Sequence, residues 1–275
     1  YGQEPEYYAL GIEAAGKVIG DPNYRLVASP EEVCTEVLAG NSAEGIFEVC
    51  YDDSRGEYKD FGSYIGGTVE KWPVLKGTTP ASRRKFFIRN GTVERLYTPE
   101  DLRLQAYFAD FFRMKEEPVS VTQGAAYIRM WREVEYYSGG IYDGTPRTLL
   151  ANDILIRLPD ILLLRAEMKA ATGDREGAVA DLDVVRRRAG VAGYSEAEGD
   201  LRRAIQLERD RELLFQTGVR YFDYMRNHTY NLLKGGFRDL TETDVAAGAL
   251  FLPVSLDAMN NNPKVKQTAY WVGKF

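Results

Sequence analysis

The stretch LPDILLLRAEMKAATGDREGAVADLDVVRRRAG, residues 158–190, decides how this chain folds. Residues 158–171 are apolar on most sides and broken by Asp160, Arg165, Glu167 and Lys169, which suits a helix packed between neighbours. Thr172-Gly173-Asp174 stops it as a tight turn. The next segment carries Ala178, Leu182, Val185 and Ala189 on one face, and Asp183 and Arg187 stand as an i,i+4 pair on the other. Small Ala166 and Ala178 let two antiparallel helices approach closely across the turn. Leu162 and Leu182 fill the flanking large positions.

That is the spacing of a tetratricopeptide hairpin, and the pattern reads as firmly helical from residue 155 onward. A third helix is expected from Asp200 to about Phe215. With Leu201 at the centre and 100° per residue, Ile205, Glu208, Glu212 and Phe215 fall within about 40° of it. Two carboxylates therefore sit on an apolar stripe. Neighbours one turn apart come within about 5–6 Å, near the ~5–5.5 Å of a retaining glycoside hydrolase. A buried carboxylate must also be paired to offset desolvation, and Arg165, Arg209, Arg211, Arg220 and Arg226 are at hand. A structural ion-pair network is the better reading, because catalytic pairs usually come from different elements and line a cleft.

Working towards the N-terminus, Tyr8, Ile12, Ala15 and Ile19 recur at helical steps over residues 7–19, before Gly20-Asp21-Pro22. This helix has no partner upstream in the chain. Ser29-Pro30-Glu31-Glu32 is a second helix start with the makings of a capping box. Gly40 ends it, and residues 45–51 read as a strand. Residues 51–80 interleave five glycines with Tyr51, Tyr58, Phe61, Tyr64 and Trp72, a loop excursion. Asn90-Gly91 between β-prone runs predicts a hairpin over residues 85–97, and Thr98-Pro99-Glu100-Asp101 opens a short helix. A second aromatic and glycine-rich stretch covers residues 131–145. The expected fold is mainly α, with tetratricopeptide-like helical pairs, long loop-rich excursions and a few short strands or hairpins. We divide it into a helical segment (1–50), a loop-rich segment holding the ligand face (51–150) and a helical C-terminal region (151–275), all of one structural unit.

Composition removes whole classes of chemistry. The 275 residues hold 35 Lys plus Arg against 41 Asp plus Glu, a net charge of −6. Without a basic block, nucleic acid is not an expected partner, and Arg186-Arg187-Arg188 reads as a solvated helix face. The single His228, read as a polar residue near a helix end, cannot build a histidine-rich metal site. There is no GxSxG, CxxC, GxGxxG or GxxxxGK[ST], and no metal or cofactor is expected. Cys34 and Cys50 fall on a helix and a strand and leave the redox compartment open. No apolar run approaches the ~20 residues that span a bilayer. The chain opens Tyr1-Gly2-Gln3-Glu4, without Met or a basic leader, and reads as a processed or trimmed piece.

Four ordered motifs carry a family resemblance. Residues 154–167, Ile154-Leu155-Ile156-Arg157-Leu158-Pro159-Asp160 and onward, resemble the "IRLADVLLMRAEA" segment of SusD/RagB-like nutrient-binding lipoproteins. Gly173-Asp174 and Val185-Arg186-Arg187-Arg188-Ala189-Gly190 match "VRxRAG". Glu208-Arg209, Glu212-Leu213, Gly218-Val219-Arg220-Tyr221-Phe222-Asp223 and Arg226 look like "ERxxEL…GxRxxDLxR". Phe251-Leu252-Pro253-Val254, Asn262-Pro263 and Gln267-Thr268-Ala269-Tyr270 resemble the closing "FLPIP…NPxLxQNPGY". Thr217 and Thr268-Ala269 depart from the pattern. Residues 97–103 and 7–26 are similar to upstream family segments, so the resemblance spans nearly the whole chain but only the later part of a family member.

The resemblance implies a non-catalytic, surface-exposed outer-membrane lipoprotein of polysaccharide utilisation. Such a protein holds an oligosaccharide or peptide nutrient for a SusC-like, TonB-dependent β-barrel transporter. It is anchored through an N-terminal lipidated cysteine, a role that internal Cys34 and Cys50 cannot take. Sugar rings present apolar C–H faces, so aromatic platforms flanked by polar donors are what such a site needs. The two excursions supply Tyr58, Tyr64 and Trp72, and Trp131, Tyr137 and Tyr142. Trp72 leads because Pro73 stiffens the chain beside it. The rival readings are a tetratricopeptide-type protein-interaction scaffold, disfavoured by the long aromatic loops, and a hydrolase using Glu208 and Glu212.

Overall fold

The structure, a computed structural model, describes residues 5–55, 57, 88–119, 124–130, 152–216, 219–230 and 239–274. It divides into two compact units, residues 1–217 and 218–275, a boundary inside the region that the sequence presents as continuous.

The first unit opens with helix α1 (Pro5–Ile19). Helix α2 (Pro30–Glu32) is capped by Ser29, whose hydroxyl accepts from the Glu32 amide at 3.3 Å, and runs on as a π-helical turn, Val33–Val37. Strand β1 (Gly45–Val49) follows, then β2 (Ile88–Arg89), α3 (Asn90–Leu96), α4 (Leu102–Tyr107), α5 (Phe111–Lys115) and β3 (Ala125–Ala126). The last third is β4 (Asp153–Arg157), α6 (Leu158–Thr172), α7 (Arg175–Arg188) and α8 (Leu201–Glu212). The fold is mainly α, as expected.

The hairpin of α6 and α7 is as the sequence describes it. Gly173 takes φ +88°, which a side chain would strain, and Asp174 caps α7 by accepting from the Gly177 amide at 2.9 Å. Ala166 and Ala178 are fully buried between the helices, with Leu162, Leu163, Leu182 and Val185 around them. Leu201, Ala204 and Ile205 of α8 close this core. Helix α1 lies along α6. Asp183 does not pair with Arg187; its carboxylate accepts from the Tyr194 amide at 2.8 Å.

Three expectations are corrected. Residues 153–157 form a strand rather than the start of the helical region: β4 pairs antiparallel with β1, more than a hundred residues away. Asn90-Gly91 begins a helix instead of turning a hairpin. Val93 and Leu96, three residues apart, both enter the core, so helical spacing outweighs the turn signal, and β2 pairs with β3 instead. Helix α8 ends at Glu212, and Phe215 lies beyond it with φ +61°.

A second core gathers Val33, Val37, Val93, Leu96, Leu104, Tyr107, Phe108, Met130 and Ile154, among others. Cys34 is buried there, its thiol 3.5 Å from the Ala106 carbonyl oxygen, while Cys50 is exposed just past β1; neither cysteine is in a disulfide.

The second unit holds α9 (Val219–Arg226), α10 (Glu242–Ala246) and α11 (Leu256–Asn261). Its closing motifs fold onto one another. The Gln267 amide spans the backbone N–H and C=O of Val254, both at 2.9 Å, and the Trp271 indole donates to the Phe251 carbonyl at 2.7 Å. His228 sits just past α9 with φ +53°, the helix-end position expected of it.

Candidate functional site

Two short ribbons tie down the described ends of both aromatic excursions. In the first, Val49 pairs with Asp153, so the place where the chain leaves for residues 51–80 lies beside the place where it returns from residues 131–145. In the second, Ile88 pairs with Ala126, which sets the return of the first excursion four residues from Met130, the start of the second. Ile88, Ala126, Met130 and Ile154 share one core, which anchors the return of the first excursion and both ends of the second in the same packed region, while the departure of the first is held by the pairing of Val49 with Asp153. Phe47 and Val49 face outward on β1. Side chains lock this root: the Tyr51 hydroxyl donates to Asp153 at 2.9 Å and the Asn152 amide donates to Glu48 at 2.7 Å.

The six candidate ligand residues, Tyr58, Tyr64, Trp72, Trp131, Tyr137 and Tyr142, all lie outside the described residues. Reading the sequence missed Glu48, Asn152 and Asp153. Their partners are about a hundred residues distant, and no local pattern signals such a pairing.

Glu208 and Glu212 are both fully buried, in a network that joins the two cores. Among the described residues, five arginines (103, 157, 186, 188, 211) meet five carboxylates (Glu44, Asp101, Glu198, Glu208, Glu212). Arg103, on α4, forks onto Asp101 at 2.9 and 2.8 Å and reaches Glu208 at 2.6 Å. Arg157, at the end of β4, bridges Glu44 at 2.9 Å and Glu212 at 2.6 Å. Arg188 joins the same two carboxylates, and Arg186 grips Glu198 with both Nη atoms at 2.8 and 2.9 Å. Burial would raise the Glu212 pKa, but Arg188, Arg157 and Arg103 outweigh it and hold the carboxyl near 2. Burial first, and the Glu212 charge second, push the Tyr107 hydroxyl well above the ordinary tyrosine range.

This geometry corrects two expectations. Arg186 and Arg188 are not on a solvated face: the Arg-rich end of α7 turns them inward because Glu44, Glu208 and Glu212 wait there, and only Arg187 is exposed. Of the expected partners of the two glutamates, Arg211 takes part, 3.3 Å from Glu208, whereas Arg165 pairs with Asp181, Arg209 with Asp160 and Arg226 with Asp223. A hydrolytic acid or nucleophile must reach its substrate, so burial and ion pairing remove Glu208 and Glu212 from that role.

A cleft of about 420 Å³ opens beside the network, lined by Thr98, Glu100, Asp101, Arg186, Glu198 and Arg211, with residues 190–192. Among its charged groups, Arg186 is paired with Glu198 and Arg211 with Glu208. Among the described residues no cluster of His, Cys, Asp and Glu could hold a metal ion, and no helix is long and apolar enough to cross a membrane.

The SusD family model matches residues 43–271. The fold is similar to that of a SusD homologue from Bacteroides thetaiotaomicron VPI-5482, 23% identical, with a TM-score of 0.78 over 97% of this chain and 55% of that one. It is also similar to surface glycan-binding protein A from Bacteroides thetaiotaomicron in complex with laminarihexaose, 20% identical, TM-score 0.70, over 97% and 60%. A third is NanU of B. fragilis, 19% identical, TM-score 0.65, over 97% and 59%. This chain thus spans somewhat more than half the length of each. No curated protein matches at a significant level.

Proposed function

The chain belongs to the SusD family, and from that premise we propose that it holds an oligosaccharide at the outer cell surface for a SusC-like, TonB-dependent β-barrel transporter. The full-length protein is attached by a lipid anchor, and the chain performs no chemistry on its ligand. One observation carries the reading: the paired ribbons gather the ends of both aromatic excursions at one packed root. A chain of several sugar rings needs platforms from more than one loop, each held in place before the ligand arrives so that little ordering entropy is lost on binding. Trp72, Tyr58 and Tyr64 from the first excursion and Trp131, Tyr137 and Tyr142 from the second are the proposed platforms. Sugar is favoured over peptide because a relative of the same fold was solved with laminarihexaose.

The test is an array of β-1,3-glucan, α-1,4-glucan, mannan and xylan oligosaccharides beside a peptide panel, followed by calorimetry on the tightest binder. Trp72→Ala is expected to weaken that binding by about tenfold or more, the loss of one aromatic platform. Binding to peptides alone, release of reducing sugar, or equal affinity of Trp72→Ala and wild type each contradicts a stated part of the reading.

A further inference from the structure

The root of the two excursions is held by a side-chain clamp centred on Glu48, and we infer that Glu48 is a positioning residue for the ligand face. Glu48 Oε2 accepts from the backbone N–H of Asn41 at 2.8 Å and from Asn152 Nδ2 at 2.7 Å. One carboxylate therefore ties the turn before β1 to the residue at which the second excursion rejoins the fold. Two glycine positions make room for it. A Cβ at Gly45 would stand 1.8 Å from Glu48 Oε1, and a Cβ at Gly40, where φ is +100°, would stand 2.4 Å from Asn152 Nδ2. Asn41 itself takes φ +57°, a conformation asparagine tolerates better than most residues. Three residues further on, past the end of β1, the Tyr51 hydroxyl donates to Asp153 at 2.9 Å, tying the departure of the first excursion to the return of the second.

The clamp matters because the ribbon beneath it is irregular. The pairing of β1 with β4 shifts register between Gly45 and Phe47 and again between Phe47 and Glu48. A two-stranded ribbon is marginal by itself, and a one-residue slip turns every side chain to the opposite face. At the far end of the ribbon, the buried Glu44 to Arg157 ion pair pins it to the core. At the near end Glu48, Asn152, Tyr51 and Asp153 are all half-buried, and their bonds set where the excursions begin.

The inference rests on the proposed glycan site, so the experiment has one arm that does not need it. Hydrogen exchange of the unliganded chain is followed at the amide of Asn41 and along residues 45–51 and 152–157. Calorimetry measures binding of the tightest array oligosaccharide. Glu48→Ala is expected to speed exchange at Asn41 and at the near end of the ribbon, to leave exchange in α6 and α7 at the wild-type rate, and to weaken the oligosaccharide about tenfold. Glu48→Gln keeps an acceptor oxygen for both donors and is expected to restore wild-type affinity. Tyr51→Phe, which removes a single hydroxyl, is expected to show a smaller loss of the same kind. Wild-type affinity and wild-type exchange in Glu48→Ala would overturn the clamp, as would a loss of affinity that Glu48→Gln fails to rescue. If wild type binds no oligosaccharide on the array, the proposed function fails, while the clamp stands or falls on the exchange at Asn41.

Discussion

Replacing Glu212 by Gln keeps the shape of the side chain and removes one charge from the centre of the buried network. In wild type, Glu212 Oε1 meets Arg157 at 2.6 Å and Arg188 as well, and Oε2 lies 3.4 Å from Arg103. A glutamine presents one oxygen and one NH₂, so a donor faces an arginine donor on one side, and a net positive charge stays buried. Two estimates of the cost agree. Breaking a buried pair by removing one partner costs about 3–5 kcal/mol. Separately, a carboxyl held near pKa 2 against a reference of 4.5 makes its neutral form about 3 kcal/mol worse than the ionised one. The linkage sign follows. The folded pKa is depressed, so this stabilisation is complete above about pH 4.5 and is lost as pH falls towards 2. Urea unfolding followed by helical circular dichroism should show Glu212→Gln about 3–5 kcal/mol less stable at pH 7, with the gap to wild type closing between pH 4.5 and 2. A difference below about 1 kcal/mol at pH 7, or one that stays constant down to pH 2, would refute the idea that the network holds the two cores together.

Two further perturbations address the helical hairpin. Ala178→Leu forces three more side-chain carbons into the fully buried contact between α6 and α7, and is expected to cost about 1–3 kcal/mol in thermal unfolding; an unchanged melting temperature would mean that the helices do not pack as closely as Ala166 and Ala178 allow. Gly173→Ala isolates the backbone term, because a Cβ there meets no described heavy atom within 4 Å while φ is +88°. It should cost about 1 kcal/mol, and a stabilised variant would show that the turn does not require the left-handed conformation.

The features legible in the sequence are those set by neighbours along the chain. Gly173 and Asp174 announce the end of one helix and the cap of the next, and the small residues Ala166 and Ala178 announce where the helices touch. Ser29 caps the helix that follows it, as its spacing suggests, while the helix expected to open at Thr98-Pro99-Glu100-Asp101 begins only at Leu102, with Asp101 as its cap. The strand at Ile154-Leu155-Ile156 was not legible, because a short apolar run before Leu158-Pro159 fits a buried helix as well as a strand. Its identity depends on β1. Asn90-Gly91 misled for a related reason: the turn propensity is real, but Val93 and Leu96 enter the core at helical spacing, and Ile88 pairs with Ala126 instead of with the chain just after the turn.

The polar interior was only half readable. Glu208 and Glu212 on an apolar stripe imply a set of buried partners, since an unpaired buried carboxylate is too costly to persist. Which arginines answer them could not be read. Arg103, Arg157 and Arg188 come from a short helix, a strand end and a helix end scattered over the chain, while the nearer Arg209 turns to Asp160.

The sequence by itself determined the helical hairpins, their caps and close contacts, and the family, because each rests on residues within a turn or two of one another or on ordered motifs. The tertiary structure alone decided which charges are buried together, that the roots of both aromatic excursions meet on paired ribbons, and that Glu48 and Asn152 join there. Strand pairing and ion pairing act through space between segments that lie from a dozen to more than a hundred residues apart, and neither leaves a periodic trace in the residues that take part.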